Sequence, residues 1–482
     1  MVRVKSAELY RIDLKTRIPF RYGIATMTEV PEVFLRVQGE FDGVTAMGVS
    51  SDCLPPKWFT KVAEKGLEEE VEEMSGVIRN ALELAGSIKE RAVFSFWYRL
   101  YEEQERWAQS RHIPPLLAHF GTSLVERALI DGLCRTRKVS FWGAVKENLF
   151  RMDFGVIHPE LKGREAKEFL GSARGSGGIP RAEDFVPQVA ARLPLQRVKV
   201  RHTVGLADAI LEKDVHERLE DGLPESLEGS IGRYGLTHFK IKLSGKATED
   251  VERLCKIAEL LQSRSPEFRF SLDGNEVFRS FGEFREYWAV VTAEPKLQGF
   301  FKRLLFLEQP LHRDVALSAE VETQLKGWEG RPAIIIDESD GTLDAVAMAL
   351  RLGYAGASHK NCKGVFKGIA NRCLLNERKG LMTGEDLCNI GPVALLQDLA
   401  VMAVLGIESV ERNGHHYHRG LSQFPKAIQE QVLANHGDLY EKAPQGWPTL
   451  RIEDGTVAVG SINAAPFGVG FDLDVSRLQR VQ

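Results

Sequence analysis

The chain has 482 residues, 43% apolar and 27% charged, and its 63 basic and 67 acidic side chains leave a net charge of −4. That length exceeds the ~250–300 residues at which one hydrophobic core stops growing, so two domains are expected. The balanced charge offers no basic face to nucleic acid or to a membrane surface, so neither is expected as a partner.

The N-terminal MVRVKSAELYRIDLKTR mixes charge with apolar residues and lacks the continuous apolar run of a secretory signal. The most apolar window, 393–407, is cut by Gln397 and Asp398, short of the ~18 apolar residues of a membrane span. Six scattered cysteines form no CxxC pair, which argues against a zinc site and a disulfide framework. A reduced, cytoplasmic protein is the expectation.

Residues 2–50 alternate apolar and polar side chains and predict antiparallel strands, with the Gly-containing stretch RIPFRYGIATMTEV (17–30) between them as a loop. Residues 59–137 are rich in helix formers with apolar residues three to four apart. Strands followed by helices predict an α+β domain over 1–140. Residues 141–195 read as a connecting segment with an insertion, and its Gly/Ser-rich part, GSARGSGGIP (171–180), reads as a linker or mobile loop.

From 196 to 444 the texture changes. Eight short β-branched or aromatic runs, from QRVKVRHTV to IESVERNG, alternate with helical patterns. Eight such repeats fit a closed (β/α)₈-type barrel of parallel strands. An open doubly wound sheet fits less well, because no Gly-rich phosphate loop follows the first strand. The segment around LRIEDGTVAVGS (450–461) reads as a hairpin with a DG turn, so about 445–482 is expected to pack back on the first domain and complete it.

Barrel enzymes place their chemistry at the C-terminal strand ends. The second strand, HFKIKL, puts Lys240 and Lys242 on one face, since residues two apart share a face. The third ends in Asp273, with Asn275 beside it; the fourth in Glu308; the fifth in Asp337, then Glu338; the sixth in Lys360. Each Asp alone reads equally well as a helix cap, and each lysine alone as a solvated edge residue. The ordered set Lys, Asp, Glu, Asp, Lys on successive strands is another matter. Three carboxylates cannot share a small cavity as anions without a cation. An oxygen-only donor set suits Mg²⁺, with Mn²⁺ as the alternative. A lysine near such a cation and another lysine is expected to have its pKa lowered, so that it acts as a base. The pattern predicts removal of the proton α to a carboxylate, through an enediolate stabilised by the metal.

These motifs make the chain resemble the enolase superfamily, in its mandelate racemase and muconate-lactonizing branch. The matching stretches are K-x-K (Lys240, Lys242), D-x-N (Asp273, Asn275), LEQP around Glu308, DES from Asp337 and K-x-x-K-G (Lys360, Lys363, Gly364). ERALIDGL (126–133) and PTLRIEDGTVAV resemble the family's capping-domain boundary and C-terminal return. The resemblance implies an α+β capping domain over a (β/α)₇β TIM-type barrel. It implies Asp273, Glu308 and Asp337 as Mg²⁺ ligands and Lys242 and Lys360 as opposed acid/base groups. Lys240 would stand beside the substrate carboxylate. The lysine pair is similar to the muconate-lactonizing and dipeptide-epimerase-like group, whose members act on small carboxylates and are commonly homo-oligomers. A racemase or epimerase is the first reading. The alternatives are a lyase (sugar-acid dehydratase or cycloisomerase) and a non-catalytic metal- or ligand-binding relative. The chain departs from the family in Val365 after Gly364, in the expanded 138–195 segment and in the His-rich NGHHYHRG (413–420). Arg21 and Tyr22 on the 17–30 stretch, and His415, His416 or His418, are candidate substrate contacts, each with a plain packing role as the alternative.

Overall fold

Alternation of apolar and polar residues carries β1 (Val2–Tyr22) and β2 (Ala25–Phe41) into one long antiparallel hairpin, extended by β3 (Val44–Cys53). The computed structural model describes residues 1–170 and 193–481; the 171–180 stretch read as a linker lies outside them. The loop expected over 17–30 is instead the tip of this hairpin. Pairing lapses between Lys15 and Phe20, the interval that holds Pro19, and resumes with Phe20 opposite Met27 and Tyr22 opposite Ala25. A proline has no ladder N–H to give, so it sits where the register shifts.

Three helices cover the sheet: α1 (Leu67–Ser87), α2 (Val93–Ser110) and α3 (Pro115–Arg137). Helix α3 is buried all round from Leu116 to Cys134, as a helix enclosed by protein on every side must be. It lies so close to β3 that a Cβ on Gly48 would stand 1.9 Å from the Ala128 carbonyl oxygen.

The second domain is a closed barrel of eight parallel strands: β4 (Arg197–Val204), β5 (His238–Lys242), β6 (Arg269–Asp273), β7 (Leu304–Glu308), β8 (Ile334–Ile336), β9 (Gly356–His359), β10 (Leu381–Gly384) and β11 (Ser409–Arg412). Each pairs with the next, and β11 closes on β4 through Ser409–Lys199 and Val410–Val200. Helices connect successive strands, among them α4 (Ala247–Arg264) after β5, α5 (Val365–Glu377) after β9 and α6 (Ala394–Leu405) after β10. The α+β capping domain and the TIM-type barrel read from the sequence are both present.

The C-terminal return differs from expectation. The hairpin around the DG turn stays with the barrel: β12 (Thr456–Ala458) pairs antiparallel with the foot of β4 at Arg197–Lys199, below the point where β5 joins it at Arg201. Only the end of the chain returns to the first domain, where β13 (Gln479–Arg480) pairs with Tyr10 and Arg11 of β1. Arg135 of α3 holds the approach by donating to the carbonyls of Val469 (3.2 Å) and Phe471 (3.1 Å). The described part of the connecting segment runs along α5, joined by His158 to Asn371 at 2.9 Å and by Asn376 to the Phe169 carbonyl at 2.8 Å. Among the described residues no helix is long and apolar enough to cross a membrane.

Candidate active site

The C-terminal strand ends and the first domain line a pocket open to solvent, whose empty space with that solvent included is about 420 Å³. Its floor is set by β5, whose five residues are all buried. Lys240 and Lys242 share the inward face, as the two-residue period requires. The Lys240 ammonium is 1% exposed and lies beneath the cavity. It is ringed by four carboxylate oxygens: Glu385 at 2.8 Å, Glu308 and Glu411 at 2.9 Å and Asp273 at 3.0 Å. Lys242 lines the cavity and pairs with Asp273 at 2.6 Å. Lys360 enters from β9, pairing with Asp337 at 2.6 Å and Glu385 at 2.9 Å, with its Nζ 4.5 Å from the centre of the Trp58 ring.

The residues around these groups hold them in place. Asn275 donates its backbone N–H (2.8 Å) and its Nδ2 (3.2 Å) to Asp273, which explains the D-x-N spacing. The glutamine of LEQP ties the fourth strand to the fifth: Gln309 Oε1 accepts from the Asp337 N–H at 2.8 Å, and Nε2 donates to Ser339. Lys363 donates to the side chain and carbonyl of Asp337, both at 2.7 Å. Thr203 donates to Glu411 at 2.6 Å, and Ser358 donates to Glu385.

Charge dominates this site. Burial alone would lower Lys360, but Asp337 and Glu385 hold its pKa well above the ordinary lysine range. The lowering expected from the sequence is therefore absent from this arrangement, because carboxylates crowd the lysine more closely than other cations do. Burial also penalises Asp273 and Glu385, yet Lys240 together with Lys242 or Lys360 keeps both below the usual carboxylate range. Glu308 goes the other way, raised by burial and by Glu385 beside it. Glu338 is pushed up to about 7 by burial and by Asp337 and Glu276, and neither of its oxygens has a hydrogen-bond donor.

These residues fit a divalent cation. One oxygen from each of Glu308, Asp337 and Glu385 lies within 4.8 Å of the others; Glu308 Oε1 is buried without a donor, and its other oxygen meets the Lys240 ammonium at 2.9 Å. Oxygen-only donors of this kind suit a hard cation such as Mg²⁺. The gathered set differs from the expected one in a single member: Glu385 stands in it and Asp273 does not, although Asp273 shares the Lys240 ammonium with Glu308 and Glu385.

The structure brings together Lys240, Lys242, Asp273, Asn275, Glu308, Asp337, Glu338 and Lys360, all from the strand ends. It adds Glu385 and Glu411, just past β10 and within β11, which the sequence reading passed over. Of the proposed substrate contacts only Tyr22 lines the cavity, and it does so with its ring, because its hydroxyl donates to the Pro56 carbonyl at 2.7 Å. Arg21 is exposed, since alternation along β1 turns Phe20 and Tyr22 toward the cavity and Arg21 away. His415 and His416 are buried outside the cavity. His415 meets His202 at 3.1 Å, and His416 lies 3.6 Å from Asp208. His418 is also buried and is not among the lining residues; Asn413 represents this run at the wall.

No family model matches the sequence, and no curated protein does. Solved structures do. Muconate lactonizing enzyme from Pseudomonas fluorescens, complexed with muconolactone, superimposes with a TM-score of 0.59 at 15% identity, covering 98% of each chain. Dipeptide epimerase from Enterococcus faecalis V583, complexed with Mg and L-Leu-L-Tyr, gives 0.59 at 12% identity, covering 97% of this chain and 99% of that one. An enolase from Bradyrhizobium, complexed with magnesium and mandelic acid, gives 0.57 at 12% identity over 100% and 99%. The chain thus has the fold of the mandelate racemase and muconate-lactonizing branch of the enolase superfamily.

Proposed function

We propose that the protein is an enzyme of this superfamily that removes the proton α to the carboxylate of a small substrate, acting as a racemase or epimerase. The observation that carries the reading is the placement of Lys242 and Lys360. They stand on the second and sixth strands of a closed eight-stranded barrel, four strands apart and hence on opposite sides of its mouth, and both line one cavity. A substrate carbon held between them presents one face to each Nζ. One lysine takes the proton and the other returns one to the opposite face.

Lys240 has another part in this scheme. Buried beneath the floor among four carboxylates, it stays an ammonium and holds Asp273, Glu308, Glu385 and Glu411 together. Glu308, Asp337 and Glu385 would hold the metal. A divalent cation there would offset the carboxylate charge and draw electron density from a bound substrate carboxylate. Neighbours that bear the names epimerase and lactonizing enzyme support the general reaction type.

The test is incubation with Mg²⁺ and α-substituted carboxylates in D₂O. Deuterium is expected at the α-carbon without net loss of substrate; loss of water or ring closure would instead indicate a lyase. Lys242→Ala and Lys360→Ala should each lower exchange by roughly 10²–10⁴-fold. Wild-type exchange in both variants would sink the catalytic reading and leave a binding protein.

A further inference from the structure

A second cleft opens on the first domain, at the far end of the β1–β2 hairpin from the tip that lines the barrel mouth. Val2 and Phe41, paired across β1 and β2, meet Val93 of α2 and Leu133 of α3 there, and all four are buried. The empty space of the cleft, with open solvent included, is about 720 Å³. Its floor is fixed by close packing. A Cβ on Gly39 or on Gly132 would stand 2.8 Å from the Phe41 ring, so the two glycines seat that ring.

Three exposed arginines stand around this apolar floor: Arg91 just before α2, Arg137 at the end of α3 and Arg151 in the expanded 138–195 segment. Among the described lining residues Asp42 is the single acid, and Arg137 already holds it at 2.6 Å. Among the described residues, the side chains of Arg91 and Arg151 have no ion pair or hydrogen bond. A fixed turn delivers Arg151 to the cleft. Asn148 Oδ1 accepts from the Met152 N–H at 2.7 Å, and Asn148 and Arg151 both take the left-handed backbone, at φ 47° and 55°.

We propose that this cleft is a binding site for a small organic anion, whose apolar body of about ring size lies on the Val2–Phe41–Leu133 floor and whose carboxylate or phosphate meets the arginines. A guanidinium fork matches either head group bidentately. The apolar body is part of the assignment because exposed ion pairs alone contribute little, whereas covering the floor removes apolar surface from water. A second copy of the chain is a poorer occupant. In a two-fold contact the same patch meets itself, which would set arginines against arginines. The length of β1 separates this cleft from the barrel mouth, and nothing in the assignment depends on the proposed proton abstraction.

The experiment is calorimetric titration of the full chain with phenylpropionate, phenyl phosphate, the neutral phenylpropanol, acetate and inorganic phosphate. At least one of the two aromatic anions is expected to bind at least tenfold more tightly than the alcohol and than the matching bare ion; the tighter of the two names the head group. Arg91→Ala combined with Arg151→Ala should weaken that binding at least tenfold at an unchanged melting temperature, since both side chains are exposed. Arg91→Glu alone should weaken it as much, and Lys360→Ala should leave it as it is. Binding lost in Lys360→Ala but kept in the arginine variants would place the anion at the barrel mouth and overturn the proposal. No binding of either aromatic anion at millimolar concentration overturns it, as does equal affinity for the alcohol or the bare ions. A dimer in sedimentation that the double variant converts to monomer would make the cleft a contact between copies and overturn it too.

Discussion

The turn that follows Lys360 is built on a glycine. Gly364 adopts φ +106°, ψ 133°, a conformation that side chains with a Cβ rarely take, and an added Cβ would lie 3.4 Å from Glu126 Oε2. Gly364→Ala should therefore destabilise the fold by ~1–3 kcal/mol, read as a lower unfolding midpoint in denaturant. At this scale the candidate site was largely legible. Lys240, Lys242, Asp273, Glu308, Asp337 and Lys360 declare themselves because strand alternation fixes which face they share. Glu385 and Glu411 carry the same mark, an acid at a strand's C-terminal end. Their surroundings disguise it: GED reads as turn chemistry, and VER as an ordinary ion pair. Arg21 failed for the reason that served the lysines, since in a paired strand its neighbours Phe20 and Tyr22 own the inner face. The histidines failed because a polar run in a loop gives no sign of the direction in which its side chains turn.

Elements couple the two domains through a few buried polar contacts. Glu126 of α3 accepts from the backbone N–H groups of Val365 (3.0 Å) and Phe366 (2.7 Å), capping α5 from another domain. Burial pushes this carboxyl up to about 8 in spite of those donors. Glu126→Ala should cost ~1–2 kcal/mol, the value of a lost helix cap, and should lower kcat more than KM, because α5 follows directly on the Lys360 turn. Glu126→Gln keeps an acceptor and should restore much of both; equal defects in the two variants would argue against the capping role. Next to it, Arg127 pairs with Asp52 of β3 at 2.8 Å, and Asn389 links Asp52 to Asp398 at 3.0 and 2.8 Å. The barrel strands were readable from their apolar runs. The hairpin tip was not, because Pro19 and Gly23 read as loop chemistry although Phe20 pairs with nearby Met27; the C-terminal return was not, because its partners lie hundreds of residues away.

For the molecule as a whole, two measurements follow from the charge arrangement. Stripping divalent cations should abolish exchange and lower the melting temperature, and Mg²⁺ should restore both. A ligand at 100 times its Kd adds ~2.7 kcal/mol to the folded state. Stability should also fall steeply in acid. Burial, with nearby cations in the first three cases, pulls His202, His238 and His359 down to about 3, and burial pulls His418 and His436 down to about 4. Below the ordinary histidine pKa of ~6.5 the unfolded chain binds protons that the fold refuses, so each costs up to ~1.4 kcal/mol per pH unit. Glu126 and Asp398, both raised to about 8 by burial, act in the opposite sense: they favour the fold in acid and lose that contribution as pH rises toward 8. Below ~4.5 the unfolded chain protonates those carboxyls too, their effect levels off, and the histidines act unopposed. Five histidines outweigh two carboxyls, so thermal melts should already fall as pH drops from ~6.5 to ~5 and fall more steeply below ~4.5.

The division of the cavity between two domains has a consequence for how such a protein diversifies. Every group proposed to move a proton or hold a metal lies after residue 238, while Phe20, Tyr22, Met27 and Trp58 all come before residue 60. Drift in the first sixty positions can thus re-tailor which molecule is admitted while the reactive apparatus is inherited intact. New specificities are within reach of a few substitutions on one hairpin and one loop.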